Sequence, residues 1–194
     1  MTVKKNPPRR FCDTMKTVVD VTNDREALPK RWMAVVVKMH SEKKVSEALT
    51  AMKIENYLPV QEEIRQWSDR KKKIEKVVIP TILFVKTDKE TEKRLRMFSF
   101  ILRVISYPGR YEAAIIPEEQ ITRLRFMIER AVQGVEVANA ALKVGERVRV
   151  VRGPMEGLEG LLCYNNIGDP QIAIHIEALG YASVKIARED VERV

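Results

Sequence analysis

Trp32-Met33-Ala34-Val35-Val36-Val37 is apolar at every position and rich in β-branched side chains. A strand with one wet face alternates polar and apolar residues, so a run like this must be covered on both sides. The chain is therefore built around a central strand with packing above and below it. The next segment supplies one layer. Val45, Ala48, Leu49 and Met52 fall at i, i+3, i+4, i+7, one stripe of a helix for which Ser41 is placed as N-cap. Tyr57-Leu58-Pro59-Val60 then starts a second strand.

Glu62–Val78 reads as a hairpin, with Ile64 and Trp67 in the first arm, Asp69-Arg70-Lys71-Lys72-Lys73 at the tip and Ile74–Val78 returning. Pro80 breaks the chain before a strand at Ile82-Leu83-Phe84-Val85. A charged helix over Lys89–Phe98 and a strand over Leu102–Ser106 follow. Pro117-Glu118-Glu119 opens another helix, whose stripe is Ile121, Leu124 and Ile128. This alternation predicts an α+β sandwich over residues 31–130. Ala131–Ala141 has little amphipathic pattern and reads as a linker. Beyond it, Arg147–Val151, Leu158–Tyr164, Ile172–Ile176 and Ala182–Ile186 are short strands between glycine-bearing turns, which predicts a small five-stranded β-barrel over 142–194. Residues 1–30 hold few large apolar side chains and read as a flexible basic tail.

Charge narrows the function. The 194 residues carry a formal net charge of +8. Residues 1–30 hold 7 basic and 4 acidic side chains, 31–130 hold 21 and 14, and 131–194 hold 7 and 9. A polyanion should therefore meet the first two segments rather than the last. No apolar run is long enough for a bilayer and no secretory h-region is present, so no membrane partner is expected. Two cysteines, Cys12 and Cys163, exclude a disulfide framework and point to a reducing, cytoplasmic setting.

Enzymatic chemistry finds little footing. Glu62-Glu63 and Glu118-Glu119 are adjacent pairs, unsuited to an acid/base dyad. His40, His175, Cys12 and Cys163 do not assemble a zinc site. Gly153–Gly160 lacks the Lys-Ser/Thr ending of a phosphate-binding loop. No catalytic residue, metal or cofactor is expected.

The segment Leu142–Leu162, with Gly145, Gly153-Pro154, Gly157 and Gly160 at its turns and corners, resembles the KOW motif. Ahead of it, Arg31-Trp32-Met33-Ala34-Val35, Glu42-Lys43-Lys44-Val45, Tyr57-Leu58-Pro59-Val60, the basic hairpin and Ile79-Pro80-Thr81-Ile82-Leu83-Phe84-Val85 follow the order of the NusG N-terminal domain. The family usually has an aromatic, Pro, Gly and Tyr where this chain has Ile79, Pro80, Thr81 and Ile82. That departure resembles specialised paralogues of the RfaH or UpxY type, the latter antiterminators of capsular polysaccharide operons.

The resemblance implies binding: a transcription elongation and antitermination factor, monomeric, seated on the clamp helices of the largest RNA polymerase subunit. The residues matching its polymerase-binding patch are Trp32, Ile79, Pro80, Thr81, Ile82 and Phe84, for which plain core packing is the competing reading. Arg70, Lys71, Lys72, Lys73 and Arg103 would contact non-template DNA, against a solvated charge run; Arg94 and Arg96 extend that face. Trp67 either stacks on a base or braces the hairpin. The KOW segment would engage a ribosomal small-subunit protein or a termination factor. The rival class is a KOW-containing, RNA-binding protein of ribosomal type.

Overall fold

The computed structural model describes residues 29–66, 71–138, 145–165 and 167–194, with backbone alone at 64–66, 71, 72 and 138. Nearly all of the expected tail, Trp67 and Arg70 at the hairpin tip, and the end of the expected linker lie outside the described residues.

The doubly apolar run is strand β1 (Arg31–Val37). It lies inside a four-stranded antiparallel sheet, flanked by β5 (Ile82–Thr87) and β6 (Ile101–Val104), with β2 (Glu55–Tyr57) on the far side of β5. Side chains alternate between faces along each strand. Met33, Val35 and Val37, with Leu83 and Val85, pack on Val45 and Leu49 of α1 (Glu42–Ala51) and on Leu95 of α2 (Lys89–Leu95). Trp32, Ala34, Ile82 and Phe84 face the other way, toward Ile121, Leu124, Met127 and Ile128 of α3 (Glu118–Arg130).

Helix ends depart from expectation. Ser41 occupies the N-cap of α1, but its side chain makes no capping bond. The neighbouring Glu42 is buried instead, its Oε1 accepting a hydrogen bond from the Thr81 backbone N–H at 3.0 Å. In α2 the cap is Asp88, whose carboxylate accepts from the N–H groups of Glu90 and Thr91. Burial raises the Asp88 pKa, but hydrogen bonds from Thr91 and Glu90 outweigh it and hold the carboxyl below its ordinary range.

Between β2 and β5 the chain makes a separate two-stranded hairpin, β3 (Val60–Gln66) with β4 (Lys71–Val77). After α3, a six-stranded antiparallel sheet forms in the order β12-β8-β9-β10-β11-β7. Its strands are β7 (Glu136–Ala138), β8 (Arg147–Val150), β9 (Glu159–Tyr164), β10 (Pro170–Ile176), β11 (Gly180–Lys185) and β12 (Val191–Arg193). That is one strand more than expected, and β7 comes from inside the expected linker. Glu136, Val137 and Ala138 pair with Ser183, Ala182 and Tyr181 of β11, which places Val137 against the core.

The two lobes share one apolar cluster. Residues of the first sheet and α3 are continuous with Val148, Val150, Leu158, Ile172, Ile174, Ile176 and Leu179 of the second. Polar contacts reinforce the junction: Gln120 Oε1 accepts from the Glu177 N–H at 2.7 Å, and Arg130 Nη1 donates to the Pro154 carbonyl at 3.4 Å.

Candidate functional site

The apolar residues singled out in the sequence converge. Trp32, Ile79, Ile82 and Phe84 are 4%, 7%, 9% and 0% exposed, so all four are packed inside the shared cluster. Pro80 is exposed beside them, and Thr81 is half-buried with a left-handed backbone, φ 64°. Ile79, Ile82 and the loop between them line a cleft of about 880 Å³ with Arg103 on one side and Val137, Ala178 and Leu179 of the second lobe on the other. The second lobe thus stands over the edge of this face.

At its other edge, Lys86 Nζ lies 5.7 Å from the Trp32 ring centroid and 2.8 Å from Glu118 Oε1. The Lys86 hydrogen bond, with the Lys86 charge, holds the Glu118 carboxyl below its ordinary range. The buried Trp32 Nε1 has no hydrogen-bond partner among the described residues. Deeper in, Tyr57 stacks on Phe84 with centroids 6.1 Å apart and carries the Arg125 guanidinium 4.7 Å from its ring centre. Burial pushes the Tyr57 phenol up to about 12, partly offset by Arg125.

The basic hairpin forms, but its charges are not all free. Lys73 pairs with Glu62 at 3.1 Å and Lys76 with Glu63 at 3.9 Å, both diagonal cross-strand pairs set by the register Glu62↔Glu75 and Glu63↔Ile74. Lys43 of α1 pairs with Glu75 and ties the hairpin to the first lobe. Arg70 lies outside the described residues, as do the side chains of Lys71 and Lys72. Arg103 stands exposed on β6, at the sheet edge opposite β2, from which the hairpin springs.

A contact with no signal in the residue pattern lies at the hairpin base. Gln61 Nε2 donates to the carbonyls of Ala131 and Gln133 at 3.1 and 3.2 Å, and its Oε1 accepts from the Val135 N–H at 3.2 Å. One amide side chain therefore staples the segment between the lobes to β3.

The glycines of the second lobe do two jobs. A Cβ on Gly145 would strike the Leu162 carbonyl oxygen, to which the Gly145 N–H donates at 2.8 Å, and one on Gly160 would lie 2.7 Å from the Ala173 carbonyl oxygen. Gly153 and Gly157 instead have φ of 89° and 88°, where a side chain is strained. The sequence placed Gly145 in a turn; its role is close approach to β9.

Among the described residues, no group of three or more His, Cys, Asp or Glu side chains could hold a metal ion, and no helix is long and apolar enough to cross a membrane. Cys163 is buried, and that burial raises its thiol pKa.

The chain thus joins an α/β lobe carrying a two-stranded hairpin to an all-β lobe through one apolar cluster. Residues 30–125, which take in almost all of the first lobe, match the family model described as transcription termination factor nusG. A solved structure described as "Domain interaction in Thermotoga maritima NusG" resembles the chain at 17% identity and a TM-score of 0.44, over 85% of this chain and 97% of that one. No curated protein matches the chain.

Proposed function

We propose that this protein is a transcription elongation and antitermination factor, without enzymatic activity, that acts in the cytoplasm by holding RNA polymerase in its processive state. The family match over residues 30–125 carries the reading. In it, residues 31–130 are the polymerase-binding domain, 131–141 connect the lobes and 142–194 are a KOW domain carrying Gly145, Gly153, Pro154, Gly157 and Gly160.

The clamp helices of the largest polymerase subunit dock on the face of Trp32, Ile79, Pro80, Thr81, Ile82 and Phe84. Because Trp32, Ile82 and Phe84 pack toward α3 within the shared core, polymerase must outcompete that packing to reach them. Arg70, Lys71, Lys72, Lys73 and Arg103 contact non-template DNA through its phosphates. The departure from the family at Ile79, Thr81 and Ile82 supports a specialised paralogue of the UpxY or RfaH type, serving an operon such as one for capsular polysaccharide. The KOW domain engages a ribosomal small-subunit protein or a termination factor.

Co-sedimentation of the purified full chain separates this from the ribosomal alternative. The protein should travel with core polymerase. Sedimentation with ribosomal subunits, and not with polymerase, would refute it.

A further inference from the structure

Trp32, Ile79, Ile82 and Phe84 are buried, whereas Pro80 between them is exposed and Thr81 half-buried. A partner approaching this face therefore meets the turn Ile79–Ile82 first. The Ile82 N–H closes it by donating to the Ile79 carbonyl at 3.3 Å. Pro80 stands second in the turn and Thr81 third, at φ 64°. Proline second and a positive φ third make a type II turn, whose third position suits glycine. Among the described residues His40, Lys53, Thr81 and Ala178 are the non-glycine residues with positive φ, and only Thr81 is β-branched. Such a residue stays there only where its surroundings hold it.

Glu42 is what holds it. Type I and type II turns share the closing bond and differ by a flip of the peptide between their second and third residues. Here that peptide carries the Thr81 N–H, which donates to Glu42 Oε1 at 3.0 Å. Flipping it would take the donor away from a side chain only 6% exposed, and a buried carboxylate without its bond is costly. The Thr81 carbonyl, one peptide further on, is held separately by the Val37 N–H at 2.8 Å. Across a trans peptide the carbonyl points opposite to the N–H. The Pro80 carbonyl is thus directed away from Glu42, and it accepts no hydrogen bond from any described residue.

We propose that Glu42 is a positioning residue for polymerase docking: it fixes the Pro80–Thr81 peptide so that the turn offers the proline ring and the Pro80 carbonyl outward, a preformed contact for a hydrogen-bond donor on the clamp helices. This rests on the docking reading above and assigns Glu42 a part in it, although Glu42 itself is buried and touches no partner. A turn already held in its docking shape spares the partner the cost of ordering it. Without the carboxylate the peptide is free to flip, and only the fraction of molecules in the docking shape binds, which reduces the apparent affinity by that fraction.

The test is the kinetics of the full chain on immobilised core RNA polymerase. Glu42→Ala should slow association about fivefold, the loss expected when the docking shape is occupied about a fifth of the time, and leave dissociation unchanged. Glu42→Gln keeps the acceptor oxygen and should associate as fast as the wild type. Glu42→Asp keeps the charge but falls one methylene short, so it should lie between them, and it takes the place of Glu42→Ala if that variant does not fold. Val45→Ala removes buried contacts on the opposite face of the first sheet, and its loss of stability should leave association unchanged. Wild-type association by the variant that lacks the bond would overturn the proposal. So would a Glu42→Gln chain as slow as Glu42→Ala, or a Val45→Ala chain slowed equally, which would reduce Glu42 to a contribution to stability. A wild-type chain that does not bind the polymerase would remove the docking reading itself, and this inference with it.

Discussion

Replacing Thr81 with glycine should stabilise the protein. Thr81 holds φ at 64°, a region that β-branched residues avoid, and such strain stores roughly 1–3 kcal/mol. Its surroundings enforce the conformation: the Thr81 carbonyl accepts from the Val37 N–H at 2.8 Å and its N–H donates to buried Glu42 at 3.0 Å. Glycine relieves the strain at an entropic cost of roughly 0.5–1 kcal/mol, leaving a net gain of about 1 kcal/mol. Guanidinium unfolding of the full chain measures this as a higher midpoint at unchanged slope. Glu42→Ala should cost about 1–3 kcal/mol by leaving the Thr81 N–H unpaired. Because glycine keeps that N–H, the two changes should add to within about 0.5 kcal/mol. A Thr81→Gly protein no more stable than wild type would refute the strain, and strong coupling would show that Glu42 acts on the threonine side chain rather than on the backbone.

Gln61→Ala removes three hydrogen bonds to the connecting segment, which is partly wetted, and should cost about 1.5–2 kcal/mol of lobe docking, read as faster proteolysis between residues 131 and 145. Gln61→Glu, equal in size but without donors, should do at least as much harm; if either is cut at the wild-type rate, the staple is not holding the lobes. Tyr57 has a folded pKa raised above its unfolded value near 10, so its contribution is fully present below that pH and is lost as pH rises toward about 12. Tyr57→Phe should flatten the loss of stability in that window, measured by denaturant midpoints across alkaline pH. Gly160→Ala forces a methyl against the Ala173 carbonyl and Ile172 and should lower stability by about 1–3 kcal/mol by thermal melting, whereas the same change at open, exposed Gly134 should cost much less.

What could be read from the sequence was what local period controls. The unbroken apolar run at Trp32–Val37 demanded two covered faces, and strand parity divides it between α1 with α2 and α3 with the second lobe. The stripe at Ile121, Leu124 and Ile128 behind Pro117 became α3, extended by Met127. What covers the Ile79–Phe84 face could not be read, because the cover comes from chain more than 30 residues away. Ile82→Asp would consequently disturb lobe packing before it reported on any partner. The charge run at the hairpin was visible, but its pairing with Glu62 and Glu63 depends on a cross-strand register that composition does not encode. Glu42 carried no sign of burial in the sequence, and only the long-range approach of Thr81 explains it.

Strand β7 changes what counts as a separable piece of this molecule. Cutting where the composition changes, at residue 142, would strip Glu136–Ala138 from β11 and leave the backbone of Tyr181, Ala182 and Ser183 open along an unguarded edge. Open edges recruit strands from other molecules. A second lobe begun at Gly134 should elute as a monomer in size-exclusion chromatography, and one begun at 142 should self-associate as its concentration rises. The three residues of β7 should therefore also keep the second lobe from pairing with its own copies.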